Sequence, residues 1–89
     1  MKRVHLIISG SVQGVGFRYY CHVKAAVLGI TGYARNLSDG SVEVEAQGDS
    51  RSVDEFVQAA RRGPKLSTVS NVEMDERDAL ANEGAFEVQ

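Results

Sequence analysis

Apolar and polar positions recur along this chain with two different periods, which predict strands and helices in turn. Val4 to Ile8 is nearly continuous in apolar residues, so we interpret Val4 to Ser9 as a strand in the centre of a sheet. From Phe17 onward, apolar residues instead recur at steps of three and four, which is typical of a helix with one buried face. Gly29 is placed to end this helix. Its apolar stripe comprises Phe17, Tyr20, Cys21, Ala25 and Leu28.

The middle of the chain predicts a β-hairpin. A short strand from Thr31 to Asn36 is followed by Asp39-Gly40, a dipeptide that favours hairpin turns. Ser41 to Gln47 then alternates between apolar and polar residues, as expected of a strand with one face exposed to water. We therefore expect these two strands to be antiparallel neighbours. The inward positions are Val42, Val44 and Ala46, and the outward positions are Glu43, Glu45 and Gln47.

The rest of the chain predicts a second helix and two further strands. The helix follows N-cap candidates in Gly48-Asp49-Ser50 and ends at Gly63-Pro64. Asp75 to Gly84 is polar, so we interpret it as a loop, with a helical turn as the alternative. The helix has its apolar face at Val53, Phe56, Val57 and Ala60, the fourth strand contains Val69, Val72 and Met74, and a last short strand contains Phe86 and Val88.

The order β-α-β-β-α-β predicts an α+β fold of the ferredoxin-like, split βαβ type. In this plan a four-stranded antiparallel sheet carries both helices on one face. The 89 residues predict a single domain, 1–89. A chain this short buries about 60–65% of the surface that its unfolded form exposes, which suffices for one core and leaves little room for a second. The fold supports many functions, so the function has to be argued from a site.

Composition argues against several classes of protein. The net charge of −2 argues against a surface that binds nucleic acid or anionic membranes. Cys21 is the only cysteine, so an internal disulfide is excluded. No apolar run approaches the roughly 20 residues that cross a bilayer, and the apolar segment behind Met1-Lys2-Arg3 is too short for a signal peptide. We expect a cytoplasmic protein with no membrane or nucleic-acid partner, and nothing requires more than a monomer.

The stretch from Ser9 to Arg18 contains the candidate chemistry. Three glycines within seven residues connect the first strand to the first helix. Free N–H groups at a helix N-terminus, with the positive end of the helix dipole behind them, form a concavity that suits an anion. Arg18 in the first helical turn offers a planar fork that matches phosphate oxygens. This pattern favours a phosphate site, and the simpler alternative is an ordinary β-to-α turn.

Other catalytic motifs do not fit the sequence. The loop lacks the lysine and hydroxyl residue of a nucleotide P-loop, and its glycine spacing fails the dinucleotide motif at the last position. Cys21 lies a full turn beyond the loop, which leaves a cysteine phosphatase unsupported. His5 and His22 lie on different elements, and neither is placed as a nucleophile or ligand. No cluster of His, Asp or Glu has ligand spacing near the loop, so we expect activity without a metal ion.

Two stretches resemble the acylphosphatase family. Residues Gly10-Ser11-Val12-Gln13-Gly14-Val15-Gly16-Phe17-Arg18 resemble the first signature of that family, G-x-V-Q-G-V-x-[FM]-R. Residues Gly32 to Val42, with Gly48 six residues beyond, are similar to the second signature, which includes an asparagine at the place of Asn36. Both match without a gap, and the spacing between them is that of the family. The resemblance covers the whole chain.

This resemblance implies an enzyme, an acylphosphatase, that hydrolyses small acyl phosphates to a carboxylate and inorganic phosphate. Arg18 matches the phosphate-binding arginine of the family, and Asn36 matches the asparagine that positions the attacking water. No metal or organic cofactor is implied. The backbone that matches the phosphate cradle belongs to Gln13, Gly14, Val15, Gly16, Phe17 and Arg18.

The chemistry of the residues is consistent with this assignment. A carboxylate is a weak base that leaves without protonation, so no general acid is needed, and phosphoryl transfer requires mainly positioning and charge stabilisation. The amide of Asn36 can hold a water molecule in line with the phosphorus. From the residues alone, Asn36 could equally well begin the hairpin, and Arg18 could be an exposed helix arginine.

Two other functions stay open at this point. RNA-binding domains share the topology and place aromatic residues on the open sheet face, where Tyr33 and Phe86 are the only clear candidates. The alternative substrate is carbamoyl phosphate, as in the acylphosphatase-like domain of a larger maturation protein. The sequence defines no pocket for the acyl group. A turnover assay on benzoyl phosphate separates these possibilities.

Overall fold

In the computed structural model, which describes all 89 residues, two helices pack on one face of a five-stranded sheet. The strand order is β4-β1-β3-β2-β5, so the first strand has a neighbour on each side, as its apolar run predicts. Neither helix has the length and apolar composition needed to span a membrane. The elements in chain order are β1 (Lys2–Ser11), α1 (Phe17–Leu28), β2 (Thr31–Asn36), β3 (Val42–Gly48), α2 (Ser50–Arg62), β4 (Thr68–Arg77) and β5 (Phe86–Val88).

The predicted α+β class is confirmed, but the prediction of a four-stranded antiparallel sheet is wrong. Phe86–Val88 forms a fifth strand that runs parallel to β2, with Gly32 opposite Phe86 and Ala34 opposite Val88. The other three strand pairs are antiparallel. A strand of three residues gives a sequence too little alternation to indicate its partner or direction. Its place at the edge of the sheet, beside β2, therefore had to come from the structure.

The prediction of a loop that begins at Asp75 is also wrong in part, because the fourth strand extends beyond this residue. β4 continues to Arg77 because Asp75 pairs with His5 and Arg77 with Arg3 in the ladder to β1. These residues face water or charged neighbours on the sheet face that no helix covers. Polar residues therefore do not end the strand here, although their run in the sequence resembles a loop.

A cluster of 17 buried apolar residues fills the space between the sheet and the helices. Val42, Val44 and Ala46 of β3 face this core, as their alternation predicts. The side chain of Asp49 caps α2 by accepting hydrogen bonds from the N–H groups of Arg51 and Ser52. The core residues are Val4, Leu6, Ile8, Val12, Phe17, Cys21, Ala25, Ile30, Ala34, Val42, Val44, Ala46, Val53, Phe56, Val57, Ala60 and Phe86.

The opposite face of the sheet carries a network of ion pairs centred on Arg3, which is only 2% exposed. Its Nε donates to Glu45 at 2.6 Å, and its Nη1 donates to Glu83 at 2.7 Å. The segment between β4 and β5 is attached to this face by Gln47, whose Nε2 donates to the carbonyl of Leu80 at 2.9 Å and whose Oε1 accepts from the Leu80 N–H at 2.8 Å.

This open face does not have the surface of an RNA-binding module. Tyr33 is its aromatic residue, and the Tyr33 hydroxyl donates to Glu45 at 3.2 Å. Phe86 points to the other side, where it is buried in the core and packs against Phe56 with ring centroids 5.7 Å apart. A carboxylate-rich face with a single aromatic side chain offers no platform for stacked bases.

Candidate active site

The loop between β1 and α1 has a backbone that only glycine adopts readily. Gly14 has φ of 74° and Gly16 has φ of 78°, whereas Val15 and Phe17 between and after them do not have positive φ. Such an alternation turns successive N–H groups toward one point and forms a concavity for an anion. A Cβ built at either glycine would meet no atom within 4 Å, so the left-handed backbone and not crowding requires glycine here.

The N–H groups of this loop are available to a ligand. Those of Gly14 to Arg18 donate to no acceptor in the protein. Helix α1 also begins without a side-chain cap, because its N-cap residue is Gly16. The orphan donors and the positive end of the helix dipole therefore face the same place, which is the arrangement that binds anions at helix N-termini.

Gln13 attaches this loop to the hairpin between β2 and β3. Its Nε2 donates to the carbonyl of Leu37 at 2.8 Å and to the carbonyl of Ser41 at 2.9 Å. The family resemblance implies a role only for the backbone of Gln13, whereas the structure shows that its side chain attaches one half of the site to the other. No periodicity or spacing in the sequence indicates that contact, since the two segments lie more than twenty residues apart.

Asn36 is the last residue of β2 and is exposed. The hairpin after it is held by other groups. Ser41 donates from its N–H and its hydroxyl to Asp39 Oδ1 at 2.9 and 2.5 Å, and the N–H of Leu37 donates to the Ser41 carbonyl at 2.9 Å. The Ser41 hydroxyl and N–H together hold the pKa of Asp39 below its ordinary value. Asp39 is therefore the turn-forming side chain, which weakens the alternative role of Asn36 as a mere hairpin residue.

Arg18 lies in the first turn of α1 and is held by the end of β5. Its Nη1 donates to the backbone carbonyl of Gln89 at 2.5 Å. The N–H of Gln89 in turn donates to the carbonyl of Ala34 at 2.9 Å, two residues before Asn36. This contact orients the guanidinium while its remaining N–H donors stay available. The sequence does not indicate this contact, because it depends on the parallel pairing of β5.

One cavity of about 160 Å³ brings the predicted residues together. Gln13 and Val15 do not line it, because Gln13 faces the hairpin and Val15 packs against the core. A larger cavity of about 440 Å³ lies on the open face beside Arg3 and Tyr33 and contains none of the predicted site residues. The residues that line the smaller cavity are Val12, Gly14, Gly16, Phe17, Arg18, Tyr19, Asn36 and Val88.

The other titratable candidates lie away from this cavity. Cys21 is 1% exposed, and burial raises the pKa of its thiol to about 12, so it is not a nucleophile. His5 is on the open face, where its Nε2 lies 2.7 Å from Glu43 Oε2. His22 contacts the carbonyl of Phe86 through Nδ1 at 3.3 Å. The structure contains no group of three or more His, Cys, Asp or Glu side chains that could hold a metal ion.

The fold and this cavity define a small α+β protein with an anion-binding geometry at the start of its first helix. The family model of acylphosphatase matches residues 4–88, and the chain therefore belongs to the acylphosphatase family of enzymes.

Individual relatives agree with this assignment. The chain is 52% identical to the acylphosphatase of Chlorobaculum tepidum over 75 residues, which cover 84% of this chain and 82% of that protein. It is similar to the crystal structure of acylphosphatase from Bacillus subtilis with a TM-score of 0.95 and 32% identity, over 100% of this chain and 99% of the other. It also resembles part of T. kodakarensis HypF, with a TM-score of 0.85 and 27% identity, over 100% of this chain but 12% of that one.

Proposed function

We propose that this chain hydrolyses acyl phosphates by direct attack of water on phosphorus, with no covalent enzyme intermediate. Membership in the acylphosphatase family supports the reaction. The observation that carries the roles of individual residues is the shared cavity, in which Arg18, Asn36 and the glycine loop line one space of about 160 Å³. That volume is below the 300–1,000 Å³ typical of pockets for drug-sized ligands, so it suits a phosphoryl group.

The phosphoryl group binds to the loop and to Arg18. The N–H groups of residues 14–18 have no acceptor in the protein and would donate to its oxygens. Arg18 adds a positive charge and a planar pair of donors, which match two oxygens at once. These donors are fixed before the substrate arrives, so they stabilise charge in the transition state without reorganisation.

Asn36 holds the attacking water. Its amide oxygen accepts a hydrogen bond from the water, which directs a lone pair of the water oxygen at phosphorus on the side opposite the leaving group. A new P–O bond forms, and the P–O bond to the acyl group breaks with its electron pair going to the carboxylate. Both water protons end on the phosphate, so the products are a carboxylate and dihydrogen phosphate. No general acid is needed, because the carboxylate is a stable anion.

Paired variants at Arg18 and Asn36 test these roles. We expect Arg18→Ala to raise KM and lower kcat for benzoyl phosphate together, and Arg18→Lys to restore little, because an ammonium group cannot bind two oxygens in a plane. We expect Asn36→Ala to lower kcat by about 10²-fold while the inhibition constant for inorganic phosphate stays within about twofold. Arg51→Ala and Asn71→Ala, at exposed positions outside the cavity, are the matched controls.

Three results would contradict the proposal. If folded Asn36→Ala turns over at the parent rate, Asn36 does not position the nucleophile. If inorganic phosphate does not compete with substrate, the loop does not bind the phosphoryl group. If carbamoyl phosphate is hydrolysed and benzoyl and acetyl phosphate are not, the substrate class is wrong although the binding site is right. A simple alkyl phosphate serves as the negative control, because its alkoxide would have to leave without protonation.

A further inference from the structure

The lining of the cavity combines polar and apolar groups. The loop glycines, Arg18 and Asn36 supply the polar groups. Tyr19 from α1 and Val88 from β5 line the same cavity, and they are 68% and 48% exposed. Large apolar side chains of this exposure at the mouth of a polar cavity are in position to contact whatever extends out of it.

Both side chains are placed by backbone that also holds Arg18. Tyr19 directly follows Arg18 in the first turn of α1, and its ring lies 6.3 Å from that of His22. Val88 pairs with Ala34 in the parallel ladder, and the next residue, Gln89, accepts the hydrogen bond from Arg18. The backbone at both positions is therefore held close to that of Arg18 by helix α1 and by the β5 ladder.

The cavity of about 160 Å³ has room for the phosphoryl group and the first atoms of the acyl group. Substituents beyond the carbonyl of an acyl phosphate would have to lie across the rim that Tyr19 and Val88 form. An aromatic ring or a branched alkyl group there buries apolar surface against both side chains, whereas the single methyl group of acetyl phosphate reaches little of it.

We propose that Tyr19 and Val88 form an acyl subsite that makes this enzyme prefer acyl phosphates with an aromatic or bulky aliphatic acyl group. The inference rests on the proposed function, since it assigns a place to the acyl group at the same cavity. It names the substrate class that the sequence alone does not define.

The test is the ratio of kcat/KM for benzoyl phosphate to kcat/KM for acetyl phosphate. We expect Tyr19→Ala to lower this ratio about 3- to 10-fold, the effect expected from loss of one aromatic contact, and Tyr19→Phe to keep it. We expect Val88→Thr, which preserves shape and strand propensity, to lower it about threefold. Val27→Ala is the matched control, because Val27 is 77% exposed on α1 about 12 Å further along the helix at ~1.5 Å per residue.

The inhibition constant for inorganic phosphate distinguishes a change in the subsite from damage to the site. It should stay within about twofold of the parent value in every variant, since phosphate carries no acyl group. If the parent hydrolyses both substrates and Tyr19→Ala leaves the ratio unchanged, the acyl subsite is overturned and the proposed function stands. If Val27→Ala lowers the ratio as much as Tyr19→Ala, the effect belongs to the helix surface and the subsite is again overturned. If the parent hydrolyses neither substrate, the proposed function fails and the subsite fails with it.

Discussion

Replacing Gln13 with alanine should loosen the glycine loop from the hairpin that carries Asn36, without removing any group that lines the cavity. The Gln13 side chain makes two hydrogen bonds across this junction, to the carbonyls of Leu37 and Ser41 at 2.8 and 2.9 Å. It does not line the cavity itself. The variant therefore separates the position of the loop from the chemistry of the residues that face the substrate.

The expected loss of stability is moderate. Each neutral hydrogen bond contributes about 0.5–1.5 kcal/mol, so two of them give about 1–3 kcal/mol. Both carbonyls keep a second donor, because the Leu37 carbonyl also accepts from the N–H of Gly40 at 3.2 Å and the Ser41 carbonyl from the N–H of Leu37 at 2.9 Å. Neither acceptor is left unsatisfied, and the free energy of unfolding should fall by about 1–2 kcal/mol, in the lower half of that range.

The expected loss of activity is larger than this loss of stability. A displacement of about 1 Å between catalytic groups costs up to about 10²-fold in rate, so we expect kcat for benzoyl phosphate to fall about tenfold or more in folded Gln13→Ala. Urea titration gives the free energy of unfolding, and steady-state kinetics well below the unfolding transition gives kcat. Gln58→Ala, at an exposed position of α2, is the control. If Gln13→Ala has the parent stability and the parent kcat, the Gln13 side chain does not hold the two halves of the site together.

Three further predictions concern the backbone, the ion pairs and the metal requirement. Gly16→Ala should cost about 1–2 kcal/mol of unfolding free energy, because φ there is 78°, and an unchanged denaturation midpoint would show that the loop relaxes. Burial raises the pKa of Glu43, but hydrogen bonds from His5 and Arg35 outweigh it and hold that pKa below its ordinary value of 4.5. The stabilisation by Glu43 is therefore complete above pH 4.5 and is lost as the pH falls through the lowered pKa of the folded state. The difference in Tm between the parent and Glu43→Gln should consequently be smaller at about pH 3 than at about pH 7. An equal Tm difference at the two pH values would contradict this. Activity should persist in excess EDTA, and loss that Mg²⁺ restores would overturn the expectation of metal independence.

Much of the fold follows from local patterns that the sequence displays directly. The alternation at Val42, Val44 and Ala46 identifies the inner face of β3, and Asp49 identifies the start of α2, because both patterns depend only on near neighbours in the chain. The partner of Phe86–Val88 does not follow in this way, since three residues carry no register. The strand character of Asp75 likewise depends on partners about seventy residues away in β1.

The same distinction between local patterns and contacts made by folding applies to the candidate site. Arg18, Asn36 and the loop glycines can be selected from sequence because the family resemblance points to them, whereas residue type and spacing alone leave simpler roles open for Arg18 and Asn36. The contacts of Gln13 with the hairpin and of Arg18 with Gln89 cannot, because each joins segments that only the folded chain brings together. Contacts by which one side chain positions another group can therefore be identified only from the structure.

The ion pairs around Arg3 lie at the opposite end of β1 from the candidate site. Ser11 lies eight positions beyond Arg3, which corresponds to about 26 Å at ~3.3 Å per residue, and the network occupies the sheet face away from the helices. Well-packed apolar replacements of buried ion pairs are often neutral or stabilising by about 1–4 kcal/mol. Joint apolar replacement of Arg3, Glu45 and Glu83 is therefore a starting point for engineering heat resistance, because none of these three residues lines the candidate site.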